Sequence, residues 1–128
     1  MKNKVLIIQA NYYKDISTNL LKSAKNELKN FAKVNVISVP GVFEIPVVIS
    51  KNLKKYDGFV ALGCVIKGQT PHFDFISKST TDAIMYISVV SKKPVGNGII
   101  TCLNKNQAIA RGKKGREAAN AVKTILSL

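Results

Sequence analysis

The segment Gly68-Gln-Thr-Pro-His-Phe-Asp74 holds the chain's single histidine, His72, and the residue types that handle a charged oxyanion. Gly68 frees its neighbours' backbone amides, Thr70 supplies a hydroxyl, and a helical pattern begins just beyond. Loop amides, a hydroxyl and a helix N-terminus together make an anion seat. It is neither a Walker A loop nor a dinucleotide fingerprint, because no Gly-Lys-Ser/Thr follows a four-residue gap and the glycines are too few. An imidazole with its ordinary pKa near neutrality can act as a general acid or base. On spacing alone His72 reads equally well as a loop histidine satisfied by solvent or by Asp74.

Three other stretches carry chemistry. Glu44, beside Phe43, offers a carboxylate that accepts hydrogen bonds from sugar or polyol hydroxyls. The alternative is a first-turn glutamate favoured by the helix dipole. Tyr12 and Tyr13 offer a ring to a planar heterocycle, or pack at a strand end. Arg111 can grip a phosphate bidentately, or be a surface arginine near a helix C-terminus. A site with all of these suits a substrate with a planar ring, hydroxyls and a phosphate.

The elements that must position these residues follow from hydropathy. Short apolar runs predict strands at Lys4–Gln9, Val34–Val39, Gly58–Ile66 and Pro94–Cys102. The third is apolar nearly throughout, as a strand covered on both faces is. Helical spacing of Ile16, Leu20, Leu21, Ala24, Leu28 and Phe31 predicts a helix from Ile16 to Phe31, capped by Asp15 or Ser17. Further helices are expected at Glu44–Lys54, with Pro46 in the first turn, at Asp74–Ser91, at Asn106–Arg111, and at Gly115–Leu128 after a break at Gly112–Gly115. Alternating strands and helices point to a parallel sheet with right-handed crossovers and helices on both faces. In such sheets ligands lie at the carboxyl ends of the strands, the edge from which all the loops named above emerge.

Length and composition narrow the function. The 128 residues suit one domain, residues 1–128, large enough to bury a core without disulfide or metal. Cys64 and Cys102 lie far apart with no Cys-X-X-Cys pattern, so no metal site and no disulfide framework is expected, and reduced thiols suggest the cytoplasm. No run approaches a membrane span, and the apolar run after Met1-Lys-Asn-Lys is too short for a signal peptide. The net charge of +13 raises the question of nucleic acid, but the lysines are spread over helix faces (Lys22, Lys25, Lys29, Lys51, Lys54, Lys55) and form no tract, and there are two arginines, Arg111 and Arg116. A solvated basic surface that draws in an anionic small substrate accounts for it without nucleic acid.

Four segments, VPGVFEIP (Val39–Pro46), ALGCVIKGQTPHFDF (Ala61–Phe75), NQAIARG (Asn106–Gly112) and KGREAANAV (Lys114–Val122), resemble the lumazine synthase family, and the resemblance runs essentially end to end. It implies a flavodoxin-like three-layer αβα sandwich with a four-stranded parallel sheet. It also implies condensation of 5-amino-6-(D-ribitylamino)uracil with 3,4-dihydroxy-2-butanone 4-phosphate to 6,7-dimethyl-8-ribityllumazine, phosphate and water, the penultimate step of riboflavin biosynthesis. No metal or organic cofactor is implied. By the same resemblance Tyr12 stacks on the pyrimidine, and Val42, Phe43 and Glu44 hold the ribityl chain. Cys64, Val65 and Ile66 lie against the pyrimidine edge, Gln69 and Thr70 bind phosphate, and His72 transfers protons. Arg111 grips the phosphate of the neighbouring subunit's site, so a homo-oligomer is implied, with a pentamer as its minimum unit and no nucleic-acid or membrane partner.

Two departures from the family pattern stand out. Asn97 occupies a strand-four position where the family has a large apolar residue that closes the ring pocket from the next subunit; an amide there hydrogen-bonds the pyrimidine or leaves the pocket looser. The segment after Arg111 is short and lacks a lysine near the phosphate, for which Lys113 or Lys114 can substitute. Competing readings are the archaeal type of riboflavin synthase, a shell or flavin-binding protein without turnover, and a nucleic-acid binder. The TPHFD loop favours lumazine synthase.

Overall fold

A computed structural model describes residues 2–128. The elements run β1 (Asn3–Ala10), α1 (Lys14–Leu28), β2 (Ala32–Val39), a single 3-10 turn (Val42–Glu44), α2 (Ile45–Lys51), β3 (Gly58–Ile66), α3 (His72–Ser91), β4 (Val95–Cys102), α4 (Lys105–Ala110) and α5 (Lys114–Leu126). The four strands form one parallel sheet in the order β2-β1-β3-β4. Alternation along β1 splits the core in two. Val5 and Ile7 face Ile16, Leu20, Ala24 and Leu28 of α1 and Ala118, Ala119 and Val122 of α5. Leu6 and Ile8 face Ile45 and Ile49 of α2 and Ile84 of α3. This is the expected α/β three-layer sandwich, and its strand order is that of the first four strands of a flavodoxin-like sheet.

The two helices on the first face touch through backbone. A Cβ added at Gly115 would stand 2.1 Å from the Leu20 carbonyl oxygen, so only glycine lets α5 lie this close to α1. The Ser23 hydroxyl sits at the same contact, 3.0 Å from the carbonyl oxygens of both Leu20 and Gly112. That contact sets the short α4–α5 turn and so holds Arg111, which begins it.

The structure corrects several sequence expectations. Neither Asp15 nor Ser17 caps α1; the position before the helix is Tyr13, with no side-chain cap. Asp15 accepts the Ile16 N–H from within the first turn at 3.0 Å. Its carboxylate is held below the usual range by that bond first, and then, with burial opposing, by Lys105 at 3.4 Å. The Ser17 hydroxyl, buried, donates instead to the Ala10 carbonyl at 2.6 Å and staples α1 to the end of β1. Helix α3 starts two residues early, at His72, because the fixed φ of Pro71 suits the residue before a helix. The Gly112–Gly115 break shrinks to a short turn, with Gly115 inside α5. The first helix ends at Leu28 rather than Phe31, whose N–H closes a turn on the Leu28 carbonyl.

Candidate active site

The connections leave β1 toward β2 and β3 toward β4 in opposite directions, so the sheet's switch point lies between the carboxyl ends of β1 and β3. A crevice opens there in sheets of this kind. Tyr12 follows β1 and Gly68–His72 follow β3, so both flank it.

The floor of the crevice is backbone. β1 pairs with β3 only as far as Gln9 opposite Leu62, while β3 stays paired with β4 to Ile66 opposite Cys102. The last four residues of β3 therefore overhang β1. Peptide groups along a strand alternate sides. The Phe59 and Lys67 amides donate to the Pro94 and Cys102 carbonyls on the β4 side. The N–H and C=O of Cys64 and Ile66 consequently face the crevice, past the end of the β1 ladder. They form an open strand edge able to pair with any planar molecule that alternates donors and acceptors.

The side chains of that segment point elsewhere. Cys64 is turned into the core on the α1–α5 face. Burial first, and then neighbouring Cys102, push its thiol up to about 12. Val65 packs on the α2–α3 face and Ile66 packs, half-buried, toward α1. The two tyrosines also divide. Tyr13 packs against the core, and burial raises its phenol above its ordinary value. Tyr12 meets it edge-to-face at 4.9 Å and is 74% exposed beside the crevice. Tyr12 is thus the ring available for stacking and Tyr13 is its backing.

The Val42–Glu44 turn lies over the ends of β1 and β3. A Cβ at Gly63 would stand 2.5 Å from Val42 Cγ1 and 3.2 Å from Ala10 Cβ, so Gly63 leaves the space into which buried Val42 fits. Anchored there, the turn presents Phe43, 60% exposed, and Glu44, whose N–H closes the turn on the Gly41 carbonyl at 3.2 Å. The Glu44 carboxylate folds back over Gly41.

Across the crevice, the amides of Gly68, Gln69 and Thr70 donate to no backbone carbonyl among the described residues. The Thr70 hydroxyl oxygen accepts the His72 N–H at 3.4 Å, leaving its own proton to donate outward. Free amides, this hydroxyl and the start of the 20-residue α3 converge on one exposed spot, and His72 opens the helix beside it.

Asn97 and Arg111 do not join this group within the chain. On β4 the even-numbered residues face β3, so Asn97, Ile99 and Thr101 direct their peptide groups to the open edge of the sheet. The Asn97 side-chain oxygen accepts the Ile99 N–H at 3.0 Å. The Arg111 guanidinium donates to the Thr101 carbonyl at 3.0 Å. Both side chains thus blunt the free edge of β4. Of the two lysines after Arg111, Lys114 pairs with Glu117 at 3.4 Å, and Lys113 lines a groove beside Asn19 and Lys22 of α1. The sequence reading missed the overhang of β3, although its nine-residue apolar run against six in β1 was the available signal. No cluster of three or more metal-ligating side chains occurs among the described residues.

Comparison with known proteins bears on these features together. The profile of the 6,7-dimethyl-8-ribityllumazine synthase family matches residues 2–128. The 6,7-dimethyl-8-ribityllumazine synthase of Agrobacterium fabrum is 42% identical over 99% of this chain and 95% of its own. That of Bartonella tribocorum is 42% identical over 99% and 90%. A 6,7-dimethyl-8-ribityllumazine synthase 1 of Rhodopseudomonas palustris is 41% identical over 98% and 85%. With near-complete coverage on both sides, the chain belongs to the 6,7-dimethyl-8-ribityllumazine synthase family.

Proposed function

We propose that the crevice between β1 and β3 binds 5-amino-6-(D-ribitylamino)uracil and 3,4-dihydroxy-2-butanone 4-phosphate and joins them into 6,7-dimethyl-8-ribityllumazine, as expected of a riboflavin-pathway transferase of this family. The observation that carries this assignment of residues is the open peptide edge of Cys64 and Ile66 between an exposed tyrosine and a set of free loop amides. A pyrimidinedione presents alternating N–H and C=O groups, the pattern that edge accepts. Tyr12 covers the ring face. Phe43 and Glu44 take the ribityl chain, the carboxylate accepting from its hydroxyls. The amides of Gly68, Gln69 and Thr70, with the Thr70 hydroxyl, hold the phosphate at the N-terminus of α3.

The chemistry asks for positioning and proton transfer. The pyrimidine's 5-amino nitrogen attacks the ketone carbon, and loss of water gives an imine. Loss of the C3 proton then expels phosphate from C4, the enol left behind ketonises to a second carbonyl at C3 with a new methyl group, and attack on it by the ribitylamino nitrogen closes the ring with loss of another water. His72, two residues after Thr70 at the start of α3, supplies and removes the protons in these steps. Fixing two reactants together is worth on the order of 7–11 kcal/mol, and one general acid–base about 10²–10⁴-fold. A single histidine is therefore sufficient.

Arg111 and Asn97 complete the site of a second copy. Both sit on the open β4 edge, remote from their own chain's crevice. The outer face of α3 is suited to cover by other copies: Phe75, Met85, Tyr86, Val89 and Val90 are all exposed. We take the assembly to be a pentamer. The Asn97 oxygen is already engaged by Ile99, so its free NH₂ would donate to a ring carbonyl. The two free, buried cysteines suit a reducing compartment, and we place the enzyme in the cytoplasm. No helix among the described residues is long and apolar enough to cross a membrane.

The test is formation of the lumazine, followed by absorbance against the slow uncatalysed reaction. Arg111→Ala and Glu44→Ala chains are also co-expressed. If sites are shared between neighbours, about one site in four of a random mixed ring is intact and activity returns above either parent. No rate above background overturns the catalytic reading, and no recovery in the mixture overturns the shared site.

A further inference from the structure

At the opposite end of the sheet from the crevice, a hollow of about 400 Å³ is lined by Lys4, Lys33, Asn35, Lys54, Lys55 and Tyr56. We propose that it is a second anion site, built for a compact chain of phosphoryl groups, and separate from the site of lumazine formation.

Its donors are collected with no acid among them. No carboxylate lies within ion-pairing distance of the four ammonium groups among the described residues. The nearby acid, Asp57, uses one carboxylate oxygen to accept the Lys4 backbone N–H at 2.8 Å. Lys4 and Lys33 are direct register partners on adjacent strands, an arrangement of like charges that destabilises a sheet. Asn35 donates its amide to the Tyr56 hydroxyl oxygen at 2.8 Å, which leaves the phenol proton to donate outward.

The donors are also held in place. Lys93 reaches from beyond α3 to donate to the carbonyls of Leu53 and Tyr56, at either end of the Lys54–Lys55 turn. The Asp57 N–H donates to the Lys4 carbonyl at 2.8 Å and ties that turn to β1. A hollow of this volume is about 9 Å across, close to the Debye length of about 8 Å at physiological salt. An anion inside it feels all four lysines together. Lys22, Lys25 and Lys29 line a separate, more open groove along α1 with Thr18, Leu21 and Asn26, where three lysines of one helix meet no phenol and no lysine from another element. Four positive charges exceed what one phosphate neutralises, so the fitting ligand carries several phosphoryl groups in a row. Free polyphosphate and the tail of a nucleoside triphosphate share this chemistry.

The experiment titrates the assembled protein with inorganic tripolyphosphate by calorimetry at near-physiological salt. Saturation near one per chain is expected. Lys33→Gln/Lys54→Gln/Lys55→Gln should weaken it at least about tenfold, the loss expected when local charge provides the attraction. Lys22→Gln/Lys25→Gln/Lys29→Gln, with the same change in net charge, and Arg111→Ala should bind as the parent does. The cluster variant should keep or slightly raise its melting temperature, since Lys33→Gln relieves the like-charge pair with Lys4, and should keep its lumazine formation, since these lysines are exposed and at the other end of the sheet from the crevice. Equal weakening in both triple variants would show a field of the whole chain and overturn the site. Loss in Arg111→Ala would place the ligand in the catalytic crevice and overturn it likewise. Displacement by single-stranded oligonucleotides, growing tighter with their length, would replace the compact ligand by nucleic acid. Adenosine triphosphate binding as tripolyphosphate does identifies the phosphate chain as the recognised group, and tighter binding adds its nucleoside; either agrees with the proposal.

Discussion

Gly63→Ala is the sharpest perturbation the structure offers, because one methyl group separates the Val42–Glu44 turn, which we assign to the ribityl chain, from its support. The new Cβ would meet Val42 Cγ1 at 2.5 Å. Carbon atoms in good contact sit about 3.5–4.0 Å apart, so the two must separate by roughly 1.0–1.5 Å. β3 is a central strand and cannot move; the Val42–Glu44 turn, with Phe43 exposed, can. Overpacking of this size costs about 1–3 kcal/mol, which for a domain of this length lowers the melting temperature by roughly 4–12 °C. The functional effect follows from the direction of the shift. Phe43 and Glu44 move with Val42, while His72 and the Gly68–Thr70 loop stay. KM for the ribitylaminouracil should rise about tenfold or more, as displacements near 1 Å do, with KM for the butanone phosphate nearly unchanged. Val42→Ala removes the clashing methyl, so the double variant should recover much of the lost affinity, with a favourable coupling of about 1–2 kcal/mol in a mutant cycle. Steady-state kinetics on both substrates and denaturant melts read all of this. Additive effects of the two substitutions, or equal loss for both substrates, would refute the assignment of this turn to the ribityl chain.

Other consequences are as specific. His72→Ala should lower turnover by about 10²-fold without abolishing it, since positioning survives the loss of the proton carrier; a drop in pyrimidine affinity alone would contradict its role. Gly115→Ala should destabilise the fold by at least about 1–3 kcal/mol, because its Cβ meets the Leu20 backbone rather than a movable side chain; a urea midpoint equal to the parent's would refute the α1–α5 contact. The Cys64 thiol is raised to about 12, so at pH 8 only about one in ten thousand is thiolate. It should resist alkylation in the native protein and react once denaturant is added. The sign for stability follows: the unfolded state loses the Cys64 proton at a lower pH than the folded state does. Stability therefore falls as pH rises from the ordinary thiol range toward 12, and less so in a Cys64→Ala variant.

The sequence by itself determined the layers and the edge of the sheet from which the loops of the candidate site emerge. Apolar runs in β1, β3 and β4 and the Ile16–Leu20–Ala24–Leu28 stripe call for a parallel three-layer arrangement, because each buries a face that must meet another. Its loops, with Tyr12, Phe43, Glu44 and His72, were placed by that alternation alone, and the VFE and GQTPHFD segments were specific enough to indicate the family. Tertiary structure decided matters that depend on which element lies beside which. The open peptide edge of Cys64 and Ile66 exists because β3 outruns β1, a fact of register rather than residue type. Tyr12 and Tyr13 are the same residue type side by side, and only packing against the core half-buries Tyr13 and leaves Tyr12 exposed beside the crevice. Ser17 reads as a cap by position but is a staple, since the Ala10 carbonyl lies within its reach. Asn97 and Arg111 lie at an edge that faces away from their own crevice, and that orientation is set by the alternation of peptide groups along β4. Lys4, Lys33, Lys54 and Lys55 looked scattered along the chain; parallel pairing of β1 with β2 and the turn after α2 bring them to one hollow. Local pattern is written in hydropathy, while juxtaposition across strands follows only once the long-range pairing has formed.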